Sequence, residues 1–184
     1  MSERRIGILA ILLTGVILAV CVGAPAAVDQ PAPQIAVHFS PHGGCTDAIV
    51  RQLDAAKQTV LVQAYTFTSA PITKALMEAH KRGVNVQVIL DRSQRTDKYS
   101  SATFFQNAGI PTFIDDKHAI AHNKVMVIDG HIVITGSFNF TKAAEENNAE
   151  NLLVIDDAEI REKYAKNWQE HLEHSVAYER QAKE

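Results

Sequence analysis

The sequence predicts an α/β domain whose mixed, largely parallel β-sheet is flanked by helices on both faces and carries a β-hairpin. The chain has 184 residues, 46% of them hydrophobic, which is enough for one well-buried core. Apolar runs typical of strands alternate with segments of helical period. The dipeptide Asp129-Gly130 separates two Val- and Ile-rich runs, which is a strong signal for a two-residue hairpin turn.

The N-terminal residues are predicted to lie outside this domain. Two arginines precede a long apolar run that ends in a small-residue site at Ala24 and Ala26, so residues 1–26 are typical of a secretory signal peptide. An uncleaved membrane anchor is the alternative, because the run is close to the roughly 18 residues that a spanning helix needs. Residues 27–34 are proline-rich and predict a linker. The domain is then residues 35–180, in the periplasm or secreted, with no stable membrane association after signal removal.

The first predicted unit is strand, helix, strand. Residues 35–40 (IAVHFS) predict a strand, and Thr46 or Asp47 is placed to cap a helix. The inward positions of that helix are Ile49, Leu53 and Ala56. Residues 59–67 (TVLVQAYTF) form an apolar run typical of a buried strand.

The second unit repeats the alternation. A helix opens near Pro71 and keeps its apolar period until Gly83 ends it. Residues 84–90 alternate valine with other residues and predict a strand. After a polar, basic loop, a helix is predicted around residues 99–108 and a short strand at residues 111–115.

The hairpin determines which side chains share a face. If its loop is Asp129-Gly130 alone, Lys124 lies opposite Thr135 and His122 opposite Ser137. Side chains two apart on a strand point the same way, so a regular hairpin gathers four polar residues on one face. They are His122, Lys124, Ser137 and Asn139.

Three elements complete the predicted domain. Residues 141–150 are expected to form a polar loop, and residues 151–155 (NLLVI) a strand. A last helix has its apolar residues at four-residue steps, namely Ile160, Tyr164, Trp168 and Leu172.

The hairpin residues form a coherent chemical set. A histidine can attack phosphorus or shuttle a proton, a lysine attracts phosphate oxygens, and serine and asparagine donate hydrogen bonds. Gly136 leaves backbone room beside them. An anionic ligand would satisfy these groups; a solvated sheet edge is the alternative.

The motif residues also resemble a known family. HNKVMVID followed by GSFN, with eight residues from Asp129 to Ser137, resembles the signature of the phospholipase D superfamily. The single copy of the motif, the chain length and the segments TKALMEAHKRGVNVQVILD and GSFNFTKAAEENNAEN resemble its small bacterial endonuclease branch, often called Nuc. The resemblance spans roughly residues 35–175 and implies a phospholipase D-like fold with a catalytic hairpin.

The resemblance implies a role for each motif residue. His122 would attack phosphorus and form a phosphohistidine, while a second motif histidine protonates the leaving oxygen. Since this chain has one motif, that second group would be His122 of another copy, in a homodimer with one site on its two-fold axis. Lys124 and Asn139 would hold the phosphate with help from Ser137.

Two further acids have implied or inferred roles. The resemblance suggests Glu150 as the carboxylate that orients the nucleophilic imidazole. Asp129 is the motif aspartate, but its position in the turn favours a structural role. The mechanism needs one neutral and one protonated histidine, so a bell-shaped pH profile is expected.

No cofactor and no metal are predicted. The sequence has no HExxH, CxxC or aspartate cluster with metal spacing. His171 and His174, in HLEH, have a spacing that can bind a metal, but a solvated helix face is the preferred interpretation. Cys45 is expected to be a plain small residue near a helix start rather than a catalytic thiol.

The charge limits the substrate classes. The formal net charge is −3, and loss of residues 1–26 makes it −4, so there is no broad positive field and phosphate recognition must be local. The favoured function is an endonuclease acting on DNA, with RNA as a further substrate. Hydrolysis of phosphatidyl lipids is the main alternative, and a non-enzymatic anion-binding dimer is the third. The basic residues expected to flank a nucleic-acid backbone are Arg92, Arg95, Lys98, Lys117 and Lys142.

Overall fold

The computed structural model describes residues 32–97 and 100–179, which belong to one compact unit beginning at Ala32. The eight strands are β1 (Gln34–Ser40), β2 (Thr59–Ala64), β3 (Asn85–Asp91), β4 (Thr112–Asp115), β5 (Lys124–Ile128), β6 (Ile132–Gly136), β7 (Glu150–Asp156) and β8 (Val176–Ala177). The helices are α1 (Cys45–Ala55), α2 (Ala70–Lys81), α3 (Ala102–Asn107), α4 (Lys142–Glu146) and α5 (Ala158–His174), with a 3-10 turn at Arg92–Arg95.

The strands form one mixed sheet in the order β1-β7-β6-β5-β2-β3-β4-β8. The predicted α/β class is confirmed, but the expectation of a largely parallel sheet is wrong. Only β2 with β3 and β3 with β4 are parallel among the pairs within the described ranges. These are the pairs joined by helices, whereas β5 pairs antiparallel with β2, β6 with β5 and β7 with β6, and β1 lies antiparallel beside β7.

Helices cover both faces of the sheet, as predicted. On one face, Ile49 and Leu53 of α1 and Leu76 of α2 join the main apolar core with the inward residues of the strands. On the other face, α5 packs through Trp168, which is 2% exposed and whose indole N–H donates to the carbonyl of Val62 at 2.9 Å. The sheet is therefore held between two helical layers.

The hairpin has a different register from the predicted one. Its turn takes three residues, 129–131, and the pairs are Val127 with Val133 and Ile128 with Ile132. Asp129 has a positive φ of 50°, and its carboxylate accepts hydrogen bonds from the backbone of residues 57–59. Because the turn has three residues instead of two, the register shifts by one, and the predicted pairings of His122 with Ser137 and of Lys124 with Thr135 are wrong.

The start of α1 also differs from the prediction. Neither Thr46 nor Asp47 caps the helix; the cap position is Gly44, with a left-handed φ of 77°. The carboxylate of Glu145 supplies the acceptor, at 3.3 Å from the Gly44 N–H and 2.7 Å from the Thr46 N–H. Glu145 lies on α4, a short helix inside the segment predicted as a loop.

The predicted signal peptide, residues 1–26, and most of the predicted linker lie outside the described residues. Within the described part of the chain, no helix has the length and hydropathy needed to cross a bilayer.

Candidate active site

The motif residues meet at one edge of the sheet. The C-terminal end of β2 and the N-terminal end of β5 lie side by side, because these strands are antiparallel with Ala64 paired to Lys124. The C-terminal end of β6 and the N-terminal end of β7 reach the same edge, where Gly136 pairs with Leu152. This topology places the end of β2 beside three strands that come much later in the sequence.

His122 and Lys124 pack together against an aromatic ring. The Lys124 ammonium donates to the backbone carbonyl of His122 at 2.8 Å. The ring centroid of Tyr65 lies 4.5 Å from that of His122 and 5.1 Å from the Lys124 Nζ. His122 itself is exposed, so an imidazole open to solvent stands beside a cation held on a tyrosine.

Tyr65 was missed by the sequence analysis, which placed it inside a buried strand. Strand β2 ends one residue earlier, at Ala64, and the Tyr65 N–H donates to the carbonyl of Asn123. This backbone contact connects the end of β2 to the segment that carries His122. No local sequence pattern indicates this role of Tyr65, because its contact with Asn123 joins positions 58 residues apart.

Lys124 is a buried cation. Lys124 is 5% exposed, and this burial lowers its pKa below the usual lysine value. The negative charge of Glu150 acts in the opposite direction. A lysine with few competing water contacts attracts a phosphate oxygen more strongly than a solvated one. The predicted anion-binding position therefore has suitable electrostatics.

Ser137 and Asn139 follow β6 rather than continuing it. The Ser137 hydroxyl accepts from the Asn151 N–H at 3.0 Å, beside Glu150 at the start of β7. The Asn139 Oδ1 is buried and has no hydrogen-bond partner among the described residues. Continuing the hairpin register sets Gly136, not a polar residue, opposite Lys124. The structure thus brings Ser137 and Asn139 to the same sheet edge, but not by the predicted face alternation.

Gly136 allows the close approach of β6 and β7. Its φ is +148°, and a Cβ at this position would lie 2.3 Å from the carbonyl oxygen of Asn151. That oxygen also accepts from the Ser137 and Phe138 N–H groups. The glycine is needed for the backbone geometry at the edge of the site.

Glu150 is partly buried next to this group. Its carboxylate accepts from the Asn148 side-chain amide at 3.2 Å, and its charge acts on Lys124. Within the described residues, the Glu150 carboxylate is hydrogen-bonded to Asn148 and not to His122.

Asp129 lies at the other end of the hairpin. Its carboxylate accepts from the N–H groups of Lys57, Gln58 and Thr59 at 2.8–2.9 Å. Burial favours its neutral form, but these hydrogen bonds outweigh that effect and lower its pKa. Its contacts are structural.

Several other predicted side chains have defined surroundings. Cys45 is fully buried, and burial together with the Glu145 charge raises the pKa of its thiol to about 11, which makes it a poor nucleophile. Arg95 pairs with Asp116 at 3.2 Å and Lys142 with Glu146 at 3.6 Å. Arg92 and Lys117 are exposed, and Lys98 is outside the described residues.

The sequence favoured a solvated helix face for His171 and His174, and that prediction is wrong. They contact the carboxylate of Asp115, which is 0% exposed, together with His118. Burial would raise the pKa of Asp115, but the hydrogen bonds with His171 and His118 and the nearby His174 imidazole outweigh it and hold that pKa well below its usual range.

Comparison with known proteins identifies the family of the chain. Residues 49–172 match the family model described as cardiolipin synthase, PLD-like domain. A Rickettsia felis protein named phospholipase D is 47% identical over 135 residues, covering 73% of this chain and 68% of that protein.

Two solved structures have the same fold. Nuc from Salmonella typhimurium, a phospholipase D family member, superposes with a TM-score of 0.76 at 38% identity, covering 79% of this chain and 98% of that one. NucT from Helicobacter pylori superposes with a TM-score of 0.75 at 27% identity, covering 79% of this chain and 99% of that one. The family match, the relatives and these two structures, together with the His-x-Lys motif, show that the chain belongs to the phospholipase D superfamily, in its Nuc-like branch.

Proposed function

We propose that the protein is a metal-independent phosphodiesterase, and that it is an endonuclease that cleaves DNA without sequence preference. The observation that carries this proposal is the pairing of an exposed His122 with the buried Lys124 cation at the sheet edge. The similarity to Nuc along 98% of that chain favours a nucleic-acid substrate.

The proposed reaction has two displacements at phosphorus. A ring nitrogen of His122 attacks the phosphodiester, an N–P bond forms and the bond to the leaving oxygen breaks. A second histidine gives its proton to that oxygen. Water, losing a proton to the same second histidine, then attacks phosphorus and breaks the N–P bond.

The second histidine is proposed to come from another copy of the chain. The chain holds one His-x-Lys motif, and a two-fold axis at the sheet edge presents that motif twice at one site. A monomer then has the nucleophile without its general acid. The homodimer is therefore part of the proposed mechanism.

The neighbouring polar groups have supporting roles. Lys124 binds a phosphate oxygen, and its position near a carbonyl and a tyrosine face restricts its motion. Asn139 is proposed to donate to the phosphate from its side-chain NH2 group, and Ser137 adds a hydroxyl. Glu150 is proposed to orient the imidazole, which requires it to exchange its contact with Asn148.

Phosphatidyl lipids are the second candidate substrate. Ile120, two residues before His122, is 57% exposed, and an apolar side chain beside the site suits an acyl chain. The Rickettsia relatives named phospholipase D also favour this class. We propose the periplasm or the exterior as the location of either activity, on the basis of the N-terminal sequence.

The test compares supercoiled plasmid with phosphatidylcholine vesicles, each with EDTA added together with the substrate. We expect plasmid nicking by the parent and by His131→Ala, whose exposed imidazole pairs with Asp156 away from the site, and none by His122→Ala. Lipid hydrolysis without nicking would replace DNA by phosphatidyl lipids. Equal nicking by His122→Ala would contradict the proposed site.

A further inference from the structure

A second cluster of reactive side chains lies apart from the His122 site. Asp115 ends β4, His118 follows it in the loop, and His171 and His174 lie on the last turn of α5. We call these four residues the histidine cluster. By the strand register, Ile114 lies on the same face of the sheet as Lys124, so Asp115 points to the opposite face, toward α5.

The three imidazoles converge on one carboxylate oxygen. The distances to Asp115 Oδ2 are 2.8 Å from His171 Nδ1, 3.0 Å from His118 Nδ1 and 3.3 Å from His174 Nε2. The Asp115 side chain is fully buried, whereas those of His171 and His174 are 14% and 20% exposed. The four ligand atoms, one from each residue, all lie within 4.8 Å of one another.

Hydrogen bonding alone does not satisfy this group. His171 Nδ1 bonds to Asp115 Oδ2, and His118 Nδ1 reaches both carboxylate oxygens, so these two imidazoles have acceptors. The His174 Nε2 is in fact buried and has no hydrogen-bond partner within the described part of the chain. A cation placed among the four ligand atoms would instead use a lone pair from each of them.

The ligand set matches one kind of cation. Three imidazole nitrogens and one carboxylate oxygen are typical ligands of Zn²⁺, while Mg²⁺ and Ca²⁺ prefer oxygen only. At zinc bond lengths of about 2.0–2.1 Å, tetrahedral ligand atoms are about 3.4 Å apart, so the imidazole nitrogens would move slightly away from Asp115 Oδ2 and the more distant ligand atoms toward one another. Glu170 and Glu173 line the surface cavity beside it and add negative charge on the approach.

We propose that Asp115, His118, His171 and His174 bind one Zn²⁺ ion with a structural role. The ion connects the end of β4, the end of α5 and the loop that leads to His122. That loop is also held by the Ala121 N–H, which donates to Asp91 at 2.7 Å. Zinc at this site therefore braces the segment carrying the nucleophile without taking part in its chemistry.

The test measures metal binding directly on untagged protein that has been stripped with a chelator and dialysed. Titration with Zn²⁺ should give one tight site per chain, and Co²⁺ should give the visible absorption of a tetrahedral complex. His171→Ala should weaken Zn²⁺ binding at least about 100-fold and abolish the zinc-dependent rise in the melting temperature. His131→Ala is the matched control, because it removes another histidine paired with an aspartate but should bind as the parent does.

Two results would overturn the proposal. One is the absence of tight Zn²⁺ binding by folded parent protein, which would leave the histidine cluster as a hydrogen-bonded group. The other is unchanged binding by His171→Ala. If that variant fails to fold, His118→Ala replaces it, because the His118 side chain is 46% exposed and its loss should be tolerated by the fold.

Discussion

At the residue scale, the site depends on how one tyrosine places two motif residues. Tyr65 contacts the imidazole of His122 and the ammonium of Lys124, and neither contact follows from the motif itself. The ring offers its negative face to a cation that burial would otherwise disfavour. Tyr65 is therefore expected to be a positioning residue.

Replacing Tyr65 tests this expectation. Tyr65→Leu should lower kcat about 2- to 30-fold, since the cation–π contact is worth about 0.5–2 kcal/mol. Tyr65→Phe keeps the ring and should retain most of the activity. The measurement is the rate of plasmid nicking at saturating substrate, and a phenylalanine variant as slow as the leucine one would show that the hydroxyl, not the ring, matters.

At the element scale, the close contact between β6 and β7 depends on Gly136. Gly136→Ala should destabilise the fold by at least about 2 kcal/mol, because its Cβ would overlap the Asn151 carbonyl at a φ that side chains avoid. Urea unfolding measures the loss. Gly130→Ala is the control, since a Cβ there meets nothing within 4 Å, and equal stabilities of the two variants would contradict the assignment.

The turn of the hairpin gives a pH-dependent prediction. Because the pKa of Asp129 is lowered in the folded state, its charge stabilises the fold above the ordinary aspartate pKa of about 3.9, and this contribution is lost as pH falls through the lower, folded-state value. Asp129→Asn should cost about 1–2 kcal/mol at pH 7 and progressively less below about pH 4.

The check is the free energy of unfolding of parent and Asp129→Asn across pH 2–8. Asp54→Asn, an exposed carboxylate on α1, serves as the control. A difference between parent and Asp129→Asn that stays constant from pH 7 to pH 2 would contradict the hydrogen-bonded carboxylate.

Local patterns predicted the elements well and their long-range contacts poorly. The strands and the main helices lie close to their predicted positions, because periodicity and turn residues act over a few neighbours. The predicted hairpin register was wrong because the turn takes three residues, and the contacts of Asp129 in that turn are with residues 57–59, some 70 positions away. In the same way, the Glu145 cap of α1 and the contact of Asp115 with His171 join distant segments that no local pattern reveals.

At the scale of the whole molecule, the proposed activity depends on assembly. The His122–Lys124 edge occurs once per chain, so a doubly tagged heterodimer of parent and His122→Ala would have one motif histidine. If both histidines act in one site, this heterodimer should lose at least about 100-fold of the parent's kcat, as expected for loss of an acid–base group or a nucleophile.

Purified heterodimer and parent dimer are compared at equal concentration in the nicking assay. Activity near half that of the parent would mean that each subunit works alone. That result would contradict the proposal of a single site on a two-fold axis, but not the proposal that His122 is the nucleophile.

The most direct test of the central proposal, that His122 attacks phosphorus, is the stereochemical course of hydrolysis of a chiral phosphorothioate diester in ¹⁸O-labelled water, which makes the phosphorus of the product chiral. Attack by His122 followed by attack of water inverts the phosphorus centre twice, so we predict overall retention of configuration. Net inversion would mean a single direct displacement by water, and would contradict the phosphohistidine intermediate.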